Sequence, residues 1–282
     1  MPFRLPRAAA IVSIVAGTIL VLALTRGAAV AQAGRELRVC ADPNNLPFSN
    51  ERGEGFENRI AELLAAELHA RLSYTWAPQW RGFIRKTLGS GECDVVMGVP
   101  SRFDLAQPTD PYYTSTYVFV TRRDGGPSIR SLDDPALRRV RVGVHLIGDD
   151  YTNTPPAHAL GKRGIVDNVV GYPIYGDYST PNPPARIVEA VASGEIDVAV
   201  VWGPFAGYFA PRQAVPLRVV PVRPEVDPPG LPFTFAISLG VRKDDDRLRG
   251  ELDAALRRRR VEIRKILDRY GVPRAAAAVG AR

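Results

Sequence analysis

A six-residue segment in the first half of the chain recurs in the second half. The segment that begins at Ser90 reads SGECDV, and the segment that begins at Ser193 reads SGEIDV. In each copy the glycine can end a helix in the left-handed conformation, and the apolar run after the aspartate is typical of a buried strand. The two copies are about 100 residues apart, a common size for one compact unit. The repeat therefore predicts two similar α/β lobes in one chain.

The order of elements before and within the first copy predicts the architecture of a lobe. Strands at Leu37–Ala41, Leu72–Trp76 and Val95–Met97 alternate with helices at Phe56–Leu68 and Trp80–Gly91. Strands and helices that alternate in this way form a parallel sheet through right-handed crossovers.

A second cycle of the same kind follows a composition break at residues 122–127. The strand Phe233–Val241 and a long charged helix at Asp246–Tyr270 then return the chain to the first lobe. Two crossings between lobes leave a cleft, which is a favoured place for a ligand. The predicted organisation is a signal segment at 1–33, a first lobe at 34–123 and 233–270, a second lobe at 124–232, and a flexible tail at 271–282.

The N-terminal segment has the features of a secretory signal peptide. Two arginines precede the apolar run Ala8–Leu24, and Ala31–Ala33 fits an A-x-A cleavage site, so cleavage is predicted after Ala33. The alternative is an uncleaved membrane anchor. No later run is long and apolar enough to span a bilayer. We therefore expect a periplasmic monomer without a membrane span after signal removal.

Charge and cysteine content narrow the functions further. Signal removal takes three arginines and no acid from a net charge of +7, which leaves +4 on the mature chain. This mild, scattered excess suits an acidic partner but does not predict nucleic-acid binding. Export permits a disulfide between Cys40 and Cys93. The parallel-strand arrangement places Cys40 late in its strand and Cys93 at the start of another, too far apart for the Cα separation of a disulfide. Two buried thiols are the favoured interpretation, and a disulfide is the alternative.

The first lobe resembles the type II periplasmic solute-binding proteins, in particular those that bind polar amino acids. The resemblance rests on L-x-x-G-x-x-D at residues 88–94 and on Arg102, which precedes the aspartate of D-P-Y-Y at residues 110–113 by eight positions. In those binders an arginine at this spacing grips the ligand carboxylate, which its guanidinium matches with two parallel hydrogen bonds. The resemblance implies an α/β fold of two doubly wound lobes, with a cleft and two crossover segments.

Two departures from those binders argue against an amino-acid ligand. Trp202 stands where they usually carry an aspartate for the ligand amine. Asp149 and Asp150 stand where they usually carry hydroxyl side chains that complete the carboxylate pocket. An amino acid would therefore lack charge complementarity in this cleft.

Longer strings are similar to the quinoprotein-dehydrogenase-associated binding proteins of the MxaJ/XoxJ type. Examples are CADPNNLPFSN at residues 40–50, NTPPAHAL at residues 153–160 and GEIDVAVVWGP at residues 194–204. The resemblance implies a non-enzymatic periplasmic accessory protein in methanol oxidation. Its implied partners are an alcohol dehydrogenase that depends on pyrroloquinoline quinone, particularly a lanthanide-dependent form, and the cytochrome c of that enzyme. The implied role is to help mature or activate the dehydrogenase.

Candidate cleft residues come from both lobes. Trp202 is the strongest candidate, because it ends a buried strand at the position that faces the ligand in such sheets. Aromatic side chains are also enriched at binding hot spots, although core packing beneath the cleft is the alternative. The residues predicted to contact a ligand or partner segment are Asp42, Asn45, Phe48, Trp80, Arg102, Asp149, Asp150, Tyr178, Trp202 and Phe205.

Other chemistries are less favoured by the residues present. Asp149, Asp150 and Asp177 could bind a hard cation, but they lie in two loops and suit turn chemistry, so no metal and no cofactor is predicted. His145 and His158 could support acid–base catalysis. The enzyme alternative, one similar to cyclohexadienyl dehydratase, would also need an arginine-lined pocket. We predict no catalytic residues. The alternative function is the solute-binding component of an ABC uptake transporter for a small ligand other than an amino acid.

Overall fold

The computed structural model describes residues 1, 34–147, 152–174 and 178–275. The chain divides into residues 1–35 and residues 36–282, and the elements below belong to the second unit. No helix within the described ranges is long and apolar enough to cross a bilayer. The predicted signal peptide, apart from Met1, lies outside the described residues.

Strands and helices alternate along the second unit. The strands are β1 (Glu36–Ala41), β2 (Asn44–Asn45), β3 (Ser49–Asn50), β4 (Arg71–Trp76), β5 (Val95–Pro100), β6 (Gln107–Pro108), β7 (Tyr113–Arg122), β8 (Val142–Ile147), β9 (Thr152–Asn153), β10 (Val169–Pro173), β11 (Val198–Trp202), β12 (Leu217–Pro221), β13 (Val226–Asp227), β14 (Leu231–Pro232) and β15 (Thr234–Val241). The α-helices are α1 (Phe56–Glu67), α2 (Phe83–Lys86), α3 (Pro155–Lys162), α4 (Arg186–Ser193), α5 (Gly203–Phe209), α6 (Asp246–Arg258) and α7 (Arg260–Arg269). Three 3₁₀ turns lie at Pro135–Arg138, Pro183–Ala185 and Ala210–Arg212.

Two halves with the same strand order make up the main sheet. Its order is β10-β8-β11-β7-β15-β5-β1-β4. In the first half β1 lies between β4 and β5, and in the second half β8 lies between β10 and β11, all in parallel. Each half therefore repeats one β-α-β-α-β unit, and the predicted α/β fold of two doubly wound lobes is confirmed.

The strand β7 passes from one lobe to the other. Its first residues, Tyr113–Thr116, pair with β15, and its last residues, Tyr117–Arg122, pair with β11 and β12. The antiparallel strands β7 and β15 thus connect the two parallel sets. The lobe boundaries predicted near residues 123 and 233 remain predictions.

The repeated segment makes equivalent contacts in both lobes. In the first lobe Asp94 accepts a hydrogen bond from the backbone N–H of Arg38 at 3.2 Å, and the Arg38 guanidinium donates to the carbonyl of Gly91 at 2.9 Å. In the second lobe Asp197 accepts from the backbone N–H of Arg141 at 2.8 Å, and the Arg141 guanidinium donates to the glycine carbonyl of that copy at 2.7 Å. Both glycines have φ of +82°, which favours glycine because it has no Cβ. The glycine ends α4 in the second lobe, whereas in the first lobe α2 ends at Lys86, before Gly91. In both lobes the repeat therefore links a left-handed glycine turn to the beginning of β1 or β8.

Two helix predictions were wrong in extent. The helix predicted at Trp80–Gly91 is reduced to α2, because Gly82 before it has φ of +88° and the backbone bends again after Lys86. The helix predicted at Asp246–Tyr270 is two helices that meet at Arg259, where φ is −96° and ψ is 15°. The break allows buried leucines and isoleucines of both helices to pack in the first-lobe core.

The preference for two free thiols was wrong, because Cys40 and Cys93 form a disulfide with a Cα separation of 5.5 Å. The register pairs Cys40 with Val96, so a straight extension of β5 would have kept Cys93 away from it. The chain instead bends at Glu92 and at Asp94. These bends bring Cys93 next to β1, in a small buried cluster that includes Phe83 and Leu88.

Candidate ligand-binding cavity

A cavity of about 250 Å³ lies where the two lobes meet. Its walls include the C-terminal ends of β5 and β11, the place in each parallel set where α/β proteins usually bind ligands. The described residues that line it are Asn45, Phe48, Glu57, Gln79, Met97, Gly98, Pro100, Tyr113, Tyr117, Ile147, Thr154, Pro155, Ile174, Trp202, Phe205, Phe235 and Ile237. This volume suits a small ligand, because it lies just below the range for drug-sized ligands, which begins at about 300 Å³.

Aromatic rings from both lobes form much of the wall. The Phe48 ring meets the Phe205 ring edge to face, with centroids 5.1 Å apart. Trp202 packs against Tyr117 at 5.3 Å and against Phe235 at 5.9 Å. These rings are fixed by one another before any ligand enters, so the wall is preorganised.

Glu57 is a lining residue that sequence reasoning missed. It lies in the first turn of α1, where the helix dipole favours a negative charge. The backbone of Gly98, with φ of +67°, approaches so closely that a Cβ on that glycine would stand 2.3 Å from Glu57 Oε1. The Tyr112 hydroxyl donates a hydrogen bond to the same oxygen at 3.4 Å, and burial raises the pKa of Glu57 to about 8. The sequence Gly55–Glu57 could have indicated this residue, but an acidic side chain at the start of a helix is also common as a simple partner of the helix dipole.

Asp42 fastens the first lobe to the second. Its side chain is fully buried and accepts hydrogen bonds from the backbone N–H of Asn44 at 2.8 Å, the backbone N–H of Gln79 at 2.9 Å and the hydroxyl of Tyr178 at 2.8 Å. Asn44 adds a bond to the carbonyl of Thr180 at 2.8 Å. The loop after β1 is thereby joined to the second-lobe segment that begins at Tyr178.

The predicted cleft residues fall into four groups. Asn45, Phe48, Trp202 and Phe205 line the cavity. Asp42 and Tyr178 form one of the hydrogen bonds between the lobes, and the exposed Trp80 ring lies beside Tyr178, with ring centroids 6.1 Å apart. Arg102 is exposed and is not among the lining residues. Asp149 and Asp150 lie outside the described residues, as does Asp177, which was considered only for a cation site.

The charge of the cavity differs from that of an amino-acid pocket. Among the described lining residues Glu57 is the one carboxyl group, and none is a lysine or arginine. The described part of the chain also holds no cluster of three metal-ligating side chains. Of the two histidines considered for acid–base work, His145 is buried in contact with Phe205, and burial lowers its pKa to about 4, while His158 is exposed.

Comparison with known proteins places this fold and cavity in a family. The profile of the bacterial extracellular solute-binding proteins, family 3, matches residues 37–273. The chain belongs to this family. The matched residues include both lobes and the connecting strands β7 and β15, and therefore all the described residues that line the cavity.

Relatives within the family agree with the resemblance seen in the sequence. The family 3 protein is 34% identical over 249 residues to protein MoxJ of Methylorubrum extorquens, covering 84% of this chain and 81% of MoxJ. It is 36% identical to the crystal structure of the periplasmic binding protein XoxJ from Methylobacterium extorquens AM1, with a TM-score of 0.70 over 86% of this chain and 100% of XoxJ. MxaJ from Methlophaga aminisulfidivorans MPT matches at 28% identity and a TM-score of 0.72, over 85% of this chain and 100% of MxaJ. The chain is therefore a MoxJ/XoxJ/MxaJ-like periplasmic binding protein.

Proposed function

We propose that this family 3 protein is a non-catalytic periplasmic accessory protein of a methanol or alcohol dehydrogenase that depends on pyrroloquinoline quinone. It acts in the maturation or activation of that enzyme, in particular a lanthanide-dependent form. The observation that carries the proposal is the whole-length similarity to MoxJ and XoxJ, at 34% and 36% identity. We infer that it acts by binding in or around the cavity between the lobes, and the similarity over both lobes supports this proposal.

The proposed partners are the dehydrogenase and its cytochrome c. The immobilised protein is expected to retain the dehydrogenase from a purified preparation, and its addition is expected to increase the fraction of active enzyme. Failure to retain either partner, together with no effect on activity, would contradict the proposal.

A pair of tryptophan variants tests whether the cavity takes part. Trp202→Ala removes a ring from the cavity wall, whereas Trp80→Ala removes a ring that is 53% exposed and outside the lining. Buried aromatic anchors dominate binding energies, so Trp202→Ala should weaken partner binding about tenfold or more and Trp80→Ala should not. Equal effects would place the partner elsewhere on the surface.

A second candidate is the ligand-capturing component of an ABC uptake transporter. It is favoured by the small volume of the cavity, about 250 Å³, which suits a solute better than a protein segment. Tight binding of a small molecule without any binding of the dehydrogenase would support this candidate over the first.

The non-catalytic role and the export route are parts of the same proposal. Incubation with prephenate or arogenate is expected to give no turnover, and turnover would revive an enzymatic function. Export predicts that the protein recovered from the periplasm begins at Gly34, because cleavage is expected after Ala33. N-terminal sequencing of that fraction checks this start.

A further inference from the structure

Glu57 differs from other buried acids of this protein in having little internal compensation. Its side chain is buried, at 5% exposure, and the hydrogen bond described for its carboxyl is the long one from Tyr112, at 3.4 Å. Asp42 instead accepts three hydrogen bonds of 2.8–2.9 Å, and Asp227 pairs with the Arg163 guanidinium at 2.6 Å. A buried carboxylate is normally paired, because desolvation of an unpaired charge is costly. Glu57 has the environment of a carboxylate whose cation comes from outside the protein.

The rest of the cavity wall also suits a cation. Tyr117, Trp202 and Phe235 form a connected group of rings in the same cavity. The faces of aromatic rings carry negative electrostatic potential and attract ammonium groups, most strongly when the site is desolvated. Asn45 adds an acceptor, since its buried Oδ1 has no hydrogen-bond partner while its Nδ2 donates to Gln79 at 3.1 Å.

We propose that the cavity binds a small organic ammonium ion, held by the Glu57 carboxylate and by the rings of Tyr117, Trp202 and Phe235. The volume of about 250 Å³ admits an ion of the size of choline. A carboxylate or phosphate ligand is not matched, because the described lining contains neither lysine nor arginine. This inference rests on the cavity being a binding site, as proposed above, and not on the dehydrogenase as partner.

Binding of such an ion is coupled to release of a proton. Burial raises the pKa of Glu57 to about 8, so the empty cavity holds a neutral carboxyl at pH 7, whereas the cation binds the ionised form. The ionisable groups that interact with Glu57 are the phenols of Tyr74 in β4, of Tyr112 just before β7 and of Tyr113 at the start of β7, and burial raises their pKa values above 10. Glu57 is therefore the group that titrates. Affinity should rise about tenfold per pH unit from pH 6 towards pH 8 and then level off.

Isothermal titration calorimetry of the purified protein tests the proposal. The probes are tetramethylammonium, butylammonium and choline, with 3,3-dimethylbutan-1-ol as the neutral analogue of choline. Choline is expected to bind about tenfold tighter than the alcohol or better, because a desolvated cation–π contact adds to the ion pair. In buffers of different ionisation enthalpy, binding at pH 6.5 should release close to one proton.

Two carboxyl variants separate the charge of Glu57 from general effects on folding. Glu57→Gln keeps the shape of the side chain and removes the ion pair, so it should lower the preference for choline over the alcohol to what the ring contacts alone supply, and it should abolish the proton release. Asp253→Asn alters a buried acid that is not among the described lining residues and should leave both unchanged. Circular dichroism establishes that each variant is folded.

The outcomes separate this inference from the proposed function. Absence of binding by all three cations, equal affinity for choline and its neutral analogue, or an unchanged preference in folded Glu57→Gln would overturn the inference. Retention of the dehydrogenase in the same preparations would then leave the proposed function standing. Selective cation binding without retention of the dehydrogenase would overturn the proposed partner and support the inference.

Discussion

The hydroxyl of Tyr178 donates a hydrogen bond to Asp42 Oδ2 at 2.8 Å, and this bond joins the two lobes. Asp42 follows β1 in the first lobe, and Tyr178 follows β10 in the second. Lobes of this kind close around ligands by hinge motion, so a direct bond between them favours the closed arrangement. The strength of the connection can be measured without knowledge of the ligand.

Tyr178→Phe should favour opening of the lobes. The substitution keeps the ring and removes the hydroxyl, and a hydrogen bond to a charged group contributes about 1.5–3 kcal/mol. We expect faster amide hydrogen exchange in residues 178–182 and a larger radius of gyration in small-angle X-ray scattering. Tyr172→Phe is the matched control, because it removes a 3.0 Å bond to Glu195 within the second lobe. An identical response of the two variants would show that the bond does not hold the lobes together.

Glu57 should make the protein less stable as the pH rises. Its pKa is about 8 in the folded protein and 4.5 in its ordinary state, so between these values the folded state holds a proton that the unfolded state has released. The stabilisation that is present below pH 4.5 is therefore lost as the pH rises towards 8, at up to about 1.4 kcal/mol per pH unit. Urea unfolding at pH 5, 6, 7 and 8 should show this contribution as the difference between wild type and Glu57→Gln. If the difference in free energy of unfolding between wild type and Glu57→Gln is the same at every pH, Glu57 does not titrate between pH 5 and pH 8.

His145 should make the protein less stable as the pH falls. Burial lowers its pKa from 6.5 to about 4, so the unfolded state binds a proton that the folded state does not. Stability is therefore lost as the pH falls from 6.5 towards 4. His145→Phe should reduce this loss, and thermal unfolding at pH 4.5 and 7 measures it. An equal loss of stability in wild type and His145→Phe between pH 7 and pH 4.5 would contradict this contribution.

The disulfide should contribute strongly to stability. It closes a sequence separation of 53 residues, and removal of a native disulfide typically costs about 2–5 kcal/mol. Addition of a reductant should lower the melting temperature of the wild-type protein. The double variant Cys40→Ala with Cys93→Ala should melt at the lower temperature with or without reductant. A wild-type melting temperature that ignores the reductant would contradict this contribution.

The sequence predicted those elements whose causes are local. The helix α1 could be predicted because Phe56, Ile60 and Leu64 recur at helical spacing and all three are buried. Trp202 could be placed at the cavity because it ends a buried apolar strand, and the parallel order of strands follows from their alternation with helices.

The features that the sequence did not predict depend on contacts between distant segments. The role of Glu57 requires the backbone of Gly98, on another element, to approach its carboxyl group. The disulfide depends on bends at Glu92 and Asp94, which cannot be predicted from the spacing of hydrophobic residues. Arg102 has the spacing of a carboxylate clamp, but the folded chain leaves it exposed and outside the lining.

The repeated aspartates offer a test of what the duplication does. Asp94 and Asp197 make the same backbone contact, but Asp94 also accepts from the Arg38 guanidinium at 2.7 Å and from Arg242 at 3.2 Å, and its side chain is less exposed, at 17% against 26%. Loss of a less exposed, charge-assisted network costs more than loss of a more exposed one. Asp94→Ala should therefore lower the free energy of unfolding by about 2–3 kcal/mol and Asp197→Ala by about 1 kcal/mol. Chemical unfolding measures both values. Both residues stabilise the scaffold, and neither is among the described cavity-lining residues. Ligand affinity should therefore stay unchanged in both variants when it is measured under conditions where they are folded. A loss of affinity in the folded Asp94 variant would show that the repeat takes part in binding.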